Sequence, residues 1–207
     1  RLVVRGGDLV FPGAPVALPT VGGAGAQEAI RKATALGVAR GSEGDAEYAV
    51  RQLVEVAVRA LSSGINDPHT AISVLDRLGA ALCDLARAEL PTGVSEHNGL
   101  PVLVVPSVTY RSLADASFHM IRQNAGGSVS VHIRLLHVLT VLAATENRAD
   151  RREVIASHAE RVWVDAGREV ANPRDRQDVL RRYEQFRRTF ALGVAHTVPI
   201  ENLAGTS

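Results

Sequence analysis

The sequence predicts a mainly α-helical protein, a multi-helix domain with a small N-terminal β segment. From Gln27 onward, apolar residues recur at the three- and four-residue spacing of amphipathic helices. Asp67-Pro68 and Asn172-Pro173 each place a capping side chain before a proline, which is a helix start signal. The first 18 residues instead alternate short apolar runs with glycine and proline turns, a pattern typical of short strands.

Length and composition indicate one main domain. A chain of 207 residues with 46% hydrophobic residues can bury one substantial core. We expect a β segment at residues 1–20, a helical domain at 21–195 and a flexible tail at 196–207. The net charge of +1 argues against a nucleic-acid partner. Cys83 is the sole cysteine, which excludes an internal disulfide and a multi-cysteine zinc site.

The helical region is predicted to contain seven helices. The first ends near Gly37, the second follows a cap at Asp45 and stops at Gly64, and the third begins at Asp67-Pro68 and ends before Pro91. The remaining four are expected at about 111–123, 130–144, 150–170 and 173–192. The segment 92–101 is predicted to be a polar loop, and 103–105 a short strand that pairs near the amino terminus.

The second and third predicted helices flank Gly64 and carry clear apolar stripes. Because their connection is short, we expect them to pack antiparallel and to form the centre of the helical domain.

One long motif lies in this region, GVARGSEGDAEYAVRQLVEVAVRALSSGINDPHTA, from Gly37 to Ala71. It resembles the signature of the bacterial predicted membrane protein family known as domain of unknown function 2254. The departures from that pattern are Gly44, Glu55, Ser63 and His69. The residues that match it are Arg40, Asp45, Arg51, Gln52, Leu53, Ala57, Arg59, Ala60, Leu61, Ser62, Gly64, Ile65, Asn66, Asp67, Pro68, Thr70 and Ala71.

The resemblance implies a parent protein in the bacterial cell membrane, with several membrane-spanning helices upstream of Arg1 and this portion outside the bilayer. A cytoplasmic position follows if the number of those helices is even and the amino terminus lies inside. The sequence itself contains no run of the roughly 18 to 20 apolar residues that a spanning helix needs. The family implies no known enzyme activity.

The motif supplies the candidate site residues, for which two interpretations remain open. Backbone amides at the start of a helix, with arginines nearby, could bind a carboxylate or phosphate. The same residues could instead form a helix cap and a buried charge network that fixes two helices. The candidates are Arg40, Asp45, Arg59, Asn66, Asp67 and Thr70.

Catalytic and metal signatures are missing from the sequence. His132 and His137 are five residues apart and so lie off a common helical face, and His119 could approach them only through tertiary contact. There is no HExxH motif and no GxSxG elbow. We therefore expect no catalytic residues, no metal site and no cofactor.

These observations favour a non-enzymatic module that assembles or regulates a pore- or transporter-like membrane unit. The alternative is a small-ligand (anion) sensor or an enzyme that uses the turn at Asn66 and Asp67. The expected partners are the protein's own transmembrane region and further copies of the chain, since alanine-rich helices allow close approach. Contact with the membrane surface is also open.

Overall fold

The structure is a computed structural model that describes residues 1–18, 24–35, 37 and 46–192. It confirms a mainly helical fold. The predicted tail at 196–207, Gly22 and Gly23, and the candidates Arg40 and Asp45 lie outside the described residues. The elements of the described part are α1 (Ala24–Ala33), α2 (Ala46–Ala60), α3 (Pro68–Ala86), β1 (Val94–His97), β2 (Leu100–Val104), α4 (Tyr110–Asn124), α5 (Val129–Thr145), α6 (Ala149–Glu169) and α7 (Pro173–Leu192).

The chain divides into two compact units. The first, which we call the hairpin unit, comprises Arg1–Ala49 and Leu90–Thr109. The second, the helical unit, comprises Val50–Glu89 and Tyr110–Ser207, and is described as far as Leu192. The division falls inside α2, after Ala49.

The centre of the helical unit is α5, which packs against α3, α4, α6 and α7. A helix that is apolar on all sides can be surrounded by others without exposing hydrophobic surface. Leu135, Leu136, Leu139 and Leu142 of α5 are all fully buried. The prediction that α2 and α3 form the centre is therefore wrong, since the contacts of α3 in the described part are with α4 and α5.

Close contacts fix the neighbours of α5. Gly79 of α3 is buried against α5, and a Cβ added there would lie 2.6 Å from a methyl carbon of Val138. On α6, Trp163 stacks against Tyr183 of α7 with ring centroids 5.7 Å apart. Arg152 of α6 also lies over the ring of Phe190, near the end of α7. These small and planar groups allow the helices to approach closely.

The hairpin unit contains an antiparallel pair, β1 and β2, where the sequence predicted a polar loop. That prediction is wrong for a local reason. Asn98 and Gly99 both have positive φ, +52° and +72°, which is the backbone of a two-residue type I′ hairpin turn. The predicted pairing of 103–105 with the amino terminus is confirmed, because the Leu2 amide donates to the Val104 carbonyl at 2.7 Å.

Among the helices of the described residues, none is both long and apolar enough to cross a membrane.

Candidate functional site

The turn before α3 is organised by Asp67, the predicted N-cap. Its Oδ1 accepts hydrogen bonds from the amides of His69 at 3.1 Å and Thr70 at 3.2 Å. Its Oδ2 accepts from the Thr70 hydroxyl at 2.5 Å. The bonds from Thr70, above all, hold the pKa of the Asp67 carboxyl below its usual range. Asp67 and Thr70 thus satisfy the free amides at the start of the helix.

The backbone on the other side of Asp67 closes α2. Asn66 adopts a positive φ of +49°, a conformation that asparagine tolerates better than most residues. Its amide donates to the Ser62 carbonyl, and the Asp67 amide donates to the Ala60 carbonyl, both at 2.8 Å. Asn66 therefore has a structural role in reversing the chain.

The other predicted site residues are not brought to this turn by anything the structure describes. Arg59 donates to Glu55 at 3.0 Å, one turn earlier in α2, and both side chains are more than half exposed. The two residues are spaced i, i+4, so the pair lies along the surface of a single helix. The participation of Arg40 and Asp45 stays a prediction, because both lie outside the described residues.

A second polar cluster lies between α4 and α6, and the sequence did not predict it. Asp115 and His119 are one turn apart on α4, and His158 lies on α6. Asp115 Oδ1 is 3.3 Å from His119 Nε2 and 3.1 Å from His158 Nε2. One carboxylate oxygen thus faces two imidazole nitrogens. Arg161, one turn after His158, places Nη1 2.6 Å from His119 Nε2.

Both histidines are held towards the neutral state. Burial is the main cause that lowers the pKa of His158 to about 4, and the neighbouring His119 lowers it further. Burial also lowers the pKa of His119, with a smaller contribution from Arg161. Because a guanidinium can only donate, the 2.6 Å contact identifies His119 Nε2 as an acceptor. The lone pair of that nitrogen therefore points into the cluster.

His158 is almost completely buried, with 1% of its surface exposed, and neither of its ring nitrogens has a hydrogen-bond partner. Its Nε2 is close to Asp115, but the pair is not aligned for a hydrogen bond. The Phe118 ring packs against the imidazole in a T-shaped arrangement, with centroids 5.5 Å apart. An imidazole in this position is costly unless something compensates it.

The same face of α6 carries further polar contacts on both sides of this cluster. Towards its end, Arg122 of α4 pairs with Asp165. Beyond that pair, the Nε2 atom of the buried His132 lies 2.8 Å from the Gly126 carbonyl oxygen and 3.8 Å from Glu169. These pairs link neighbouring helices. Neither of them leaves a buried imidazole with both ring nitrogens unpartnered, as His158 is.

At the start of α6, Arg151 makes a buried ion pair with Glu146, at 3.4 Å. Its guanidinium also donates to the carbonyl of Leu85 at 2.8 Å and that of Ala88 at 3.3 Å, and it lies over the ring of Tyr110. A single arginine thus joins the end of α3, the start of α4 and the α5–α6 junction. We read this group as structural, since its donors are engaged by the protein itself.

Only one half of the α4–α6 cluster, the pair on α4, could be predicted from the sequence. Asp115 and His119 are spaced i, i+4, so they had to share a helix face once α4 was predicted. His158 follows 39 positions later, and only the packing of α6 on α4 brings it to them. His119 was weighed against His132 and His137 as a possible metal ligand, whereas in the structure it lies beside His158.

Comparison with known proteins supports the resemblance. Uncharacterised proteins from two strains of Mycobacterium tuberculosis and from Mycobacterium bovis are each 31% identical over 146 residues, which is 70% of this chain. The chain spans only 28% of the length of these relatives. No solved structure matches the chain. The family described as "Predicted membrane protein (DUF2254)" matches residues 1–141, and the chain belongs to that family.

Proposed function

We propose that this chain is an extramembrane module of a bacterial membrane protein, and that it assembles with and regulates a pore- or transporter-like membrane unit from the cytoplasmic side. One observation carries the proposal. The hairpin unit has no buried apolar residue in its described part, whereas it exposes several large ones. A surface of this kind fits a segment that is completed by a partner.

The exposed apolar residues of the hairpin unit lie in its two described stretches. Leu9 and Phe11, in the amino-terminal segment, are 80% and 68% exposed. Leu100 and Val102, on β2, are 68% and 62% exposed. A two-stranded hairpin has little stability alone in water and is normally supported by further packing. Burying these side chains would favour association by about 25 cal/mol for each Å² removed from water.

The partner we assign is the membrane-embedded remainder of the same polypeptide. The family is one of predicted membrane proteins, and the chain accounts for 28% of the length of its curated relatives, so most of each relative lies outside the matched part. A covalently linked partner is present at high effective concentration, and modest contacts are then sufficient. A second copy of the chain is the competing occupant.

Hydrogen exchange tests this assignment. We expect the amides of residues 9–11, 100 and 102–104 to exchange rapidly in the isolated chain and to be protected in the full-length protein in lipid nanodiscs. Equal exchange in the two samples would contradict the proposal. Protection that appears in the isolated chain only as its concentration is raised would identify a second copy as the partner and overturn our assignment.

A pair of matched variants sharpens the test. Leu9→Ser combined with Leu100→Ser should remove the protection in the full-length protein without unfolding the helices. Met120→Ser combined with Val164→Ser removes exposed apolar side chains from the helical unit instead, where these residues are 49% and 40% exposed. We expect this control to leave the protection intact. Equal effects from the two double variants would count against a specific surface.

The alternative, an anion sensor or enzyme at the Asn66–Asp67 turn, is not proposed. The two amides at the start of α3 that could bind an anion already donate to the Asp67 carboxylate. That carboxylate would also repel an added negative charge.

A further inference from the structure

We propose that Asp115, His119 and His158 bind one divalent transition-metal ion between α4 and α6, with Zn²⁺ the best match. The three side chains each offer one ligand atom, and these atoms lie within 4.8 Å of one another. Two imidazoles and a carboxylate form a ligand set that zinc and related metals accept, with a further position left for water.

The burial of His158 is the independent observation that points to a ligand. Both nitrogens of this 1% exposed ring lack a hydrogen-bond partner, although burial of a polar group without one is costly. A metal ion bound at one ring nitrogen would compensate that group. The ion would also lie beside the Asp115 oxygen that is 3.3 Å from His119 Nε2 and 3.1 Å from His158 Nε2, and so would bring together a carboxylate and two imidazole nitrogens that are already close.

The protonation states suit a metal. Metal ligands must be deprotonated, and the depressed pKa of each histidine keeps both rings neutral near pH 7. The Asp115 side chain is 35% exposed and that of His119 32%, so an ion can enter from the solvent side. Binding would then require little rearrangement of the helices.

In the metal-free chain, the positive charge of Arg161 lies beside the proposed metal ligands. Its guanidinium contacts the same His119 nitrogen that a metal would use, and its side chain is exposed, so it can move into solvent. A bound metal ion therefore replaces Arg161 at His119, and the two cations compete. This competition distinguishes a metal site from a simple network of ion pairs, for which the arginine would be essential.

The direct test is a titration of the 207-residue chain with Zn²⁺ after removal of metals by a chelator. We expect one Zn²⁺ per chain by calorimetry and by metal analysis after dialysis. Asp115→Asn and His119→Gln should each weaken binding by at least about tenfold, since even outer-shell changes cost that much. Both positions are partly exposed, so the variants should remain folded, as circular dichroism can verify.

Two further variants decide the outcome. Arg161→Gln should tighten Zn²⁺ binding, because the competing cation is gone, and His97→Gln, an exposed histidine of the hairpin unit, should leave it unchanged. Co²⁺ bound in place of Zn²⁺ should show the visible absorption of a nitrogen- and oxygen-ligated ion, and the Asp115→Asn variant should lose it. The proposal is overturned if the wild-type chain binds no Zn²⁺, or if Asp115→Asn and His119→Gln bind it as the wild type does.

Discussion

The two units of this chain differ most in where they bury hydrophobic side chains. Every buried apolar residue found in the described part belongs to the helical unit, from Val54 to Phe186. In the hairpin unit the only buried residue among those described is a polar one, Glu47. The helical unit therefore has its own hydrophobic core, whereas the described part of the hairpin unit is held by backbone pairing and charge.

Among the described residues, an ion pair that includes a buried glutamate is found in each unit, and the two pairs differ in how far the arginine is exposed. In the helical unit, both Arg151 and Glu146 have side chains no more than 3% exposed. In the hairpin unit, Glu47 is likewise buried, but Arg5, which it contacts at 3.0 Å, is 27% exposed. Solvent can therefore compensate the loss of Arg5 more readily than the loss of Arg151.

The largest effect is expected for Arg151→Met. This change leaves the Glu146 carboxylate buried without its arginine and frees the carbonyl groups of Leu85 and Ala88. Removal of one partner from a buried pair costs about 3–5 kcal/mol. Urea denaturation followed by circular dichroism would measure the change in unfolding free energy.

Two matched variants complete this test. Arg148→Met removes a pair with Glu89 whose partners are 42% and 90% exposed, and it should cost under about 1 kcal/mol. Arg5→Met should fall between the two. If Arg5→Met destabilised the protein more than Arg151→Met, the contrast between the units would be wrong.

The next effect in size concerns the contact of α3 with α5. Gly79→Ala places a methyl group 2.6 Å from a Val138 methyl carbon, so either the Val138 side chain or the helices must shift. Overpacking of a core typically costs about 1–3 kcal/mol. The melting temperature should fall accordingly.

Gly167→Ala is the control, because an added Cβ meets nothing within 4 Å there. This residue lies in α6, where alanine favours the helix by up to about 1 kcal/mol relative to glycine. A Gly79→Ala variant as stable as Gly167→Ala would show that the α3–α5 interface is loosely packed.

Acid sensitivity should reside in the helical unit. Burial lowers the pKa of His158 from 6.5 to about 4, so the unfolded chain binds more protons than the native one in this range. The unfolding free energy should therefore fall as the pH is lowered from about 6.5 towards about 4. Burial depresses the pKa of His119, His132 and His137 in the same direction.

Denaturation at a series of pH values measures this effect, and His158→Gln should flatten the curve over the same range. Asp115, His119 and Arg161 face the imidazole and remain in the variant. If the unfolding free energy depended on pH equally steeply in the wild type and the variant, groups other than His158 would be taking up the protons.

The smallest effect is expected at the start of α3. Asp67→Ala removes the cap and should lower the melting temperature by about 2–4 °C. Asp67→Asn keeps a capping oxygen and should change it less. A large loss in both variants would indicate that the charge of Asp67 is needed, as the predicted structural network with Arg40 requires.

Local signals allowed the helices to be predicted from the sequence. The Asn172-Pro173 pair placed the start of α7 correctly, and the apolar period placed α4, α5 and α6 to within about a residue. The hairpin was missed although Asn98-Gly99 is a strong local turn signal, because the surrounding residues are polar or interrupted by Pro101. The helix order around α5 could not be predicted from short connections, since the most hydrophobic helix occupies the centre whatever its place in the chain.

The α4–α6 cluster could be predicted only in part from the sequence. The i, i+4 spacing of Asp115 and His119 is local information, whereas the position and burial of His158 follow from tertiary packing. Asp67 shows the opposite case, because its hydrogen bonds are to residues two and three positions ahead and can be predicted from the sequence.

The stacking of Trp163 on Tyr183 has a practical consequence for these experiments. Trp163 is the chain's only indole, and it lies in the helical unit between α6 and α7. Its fluorescence therefore reports the separation of these two helices, which both belong to the helical unit. When emission and amide exchange in residues 94–104 are followed together, a difference in their midpoints would mean that the two units unfold in separate steps.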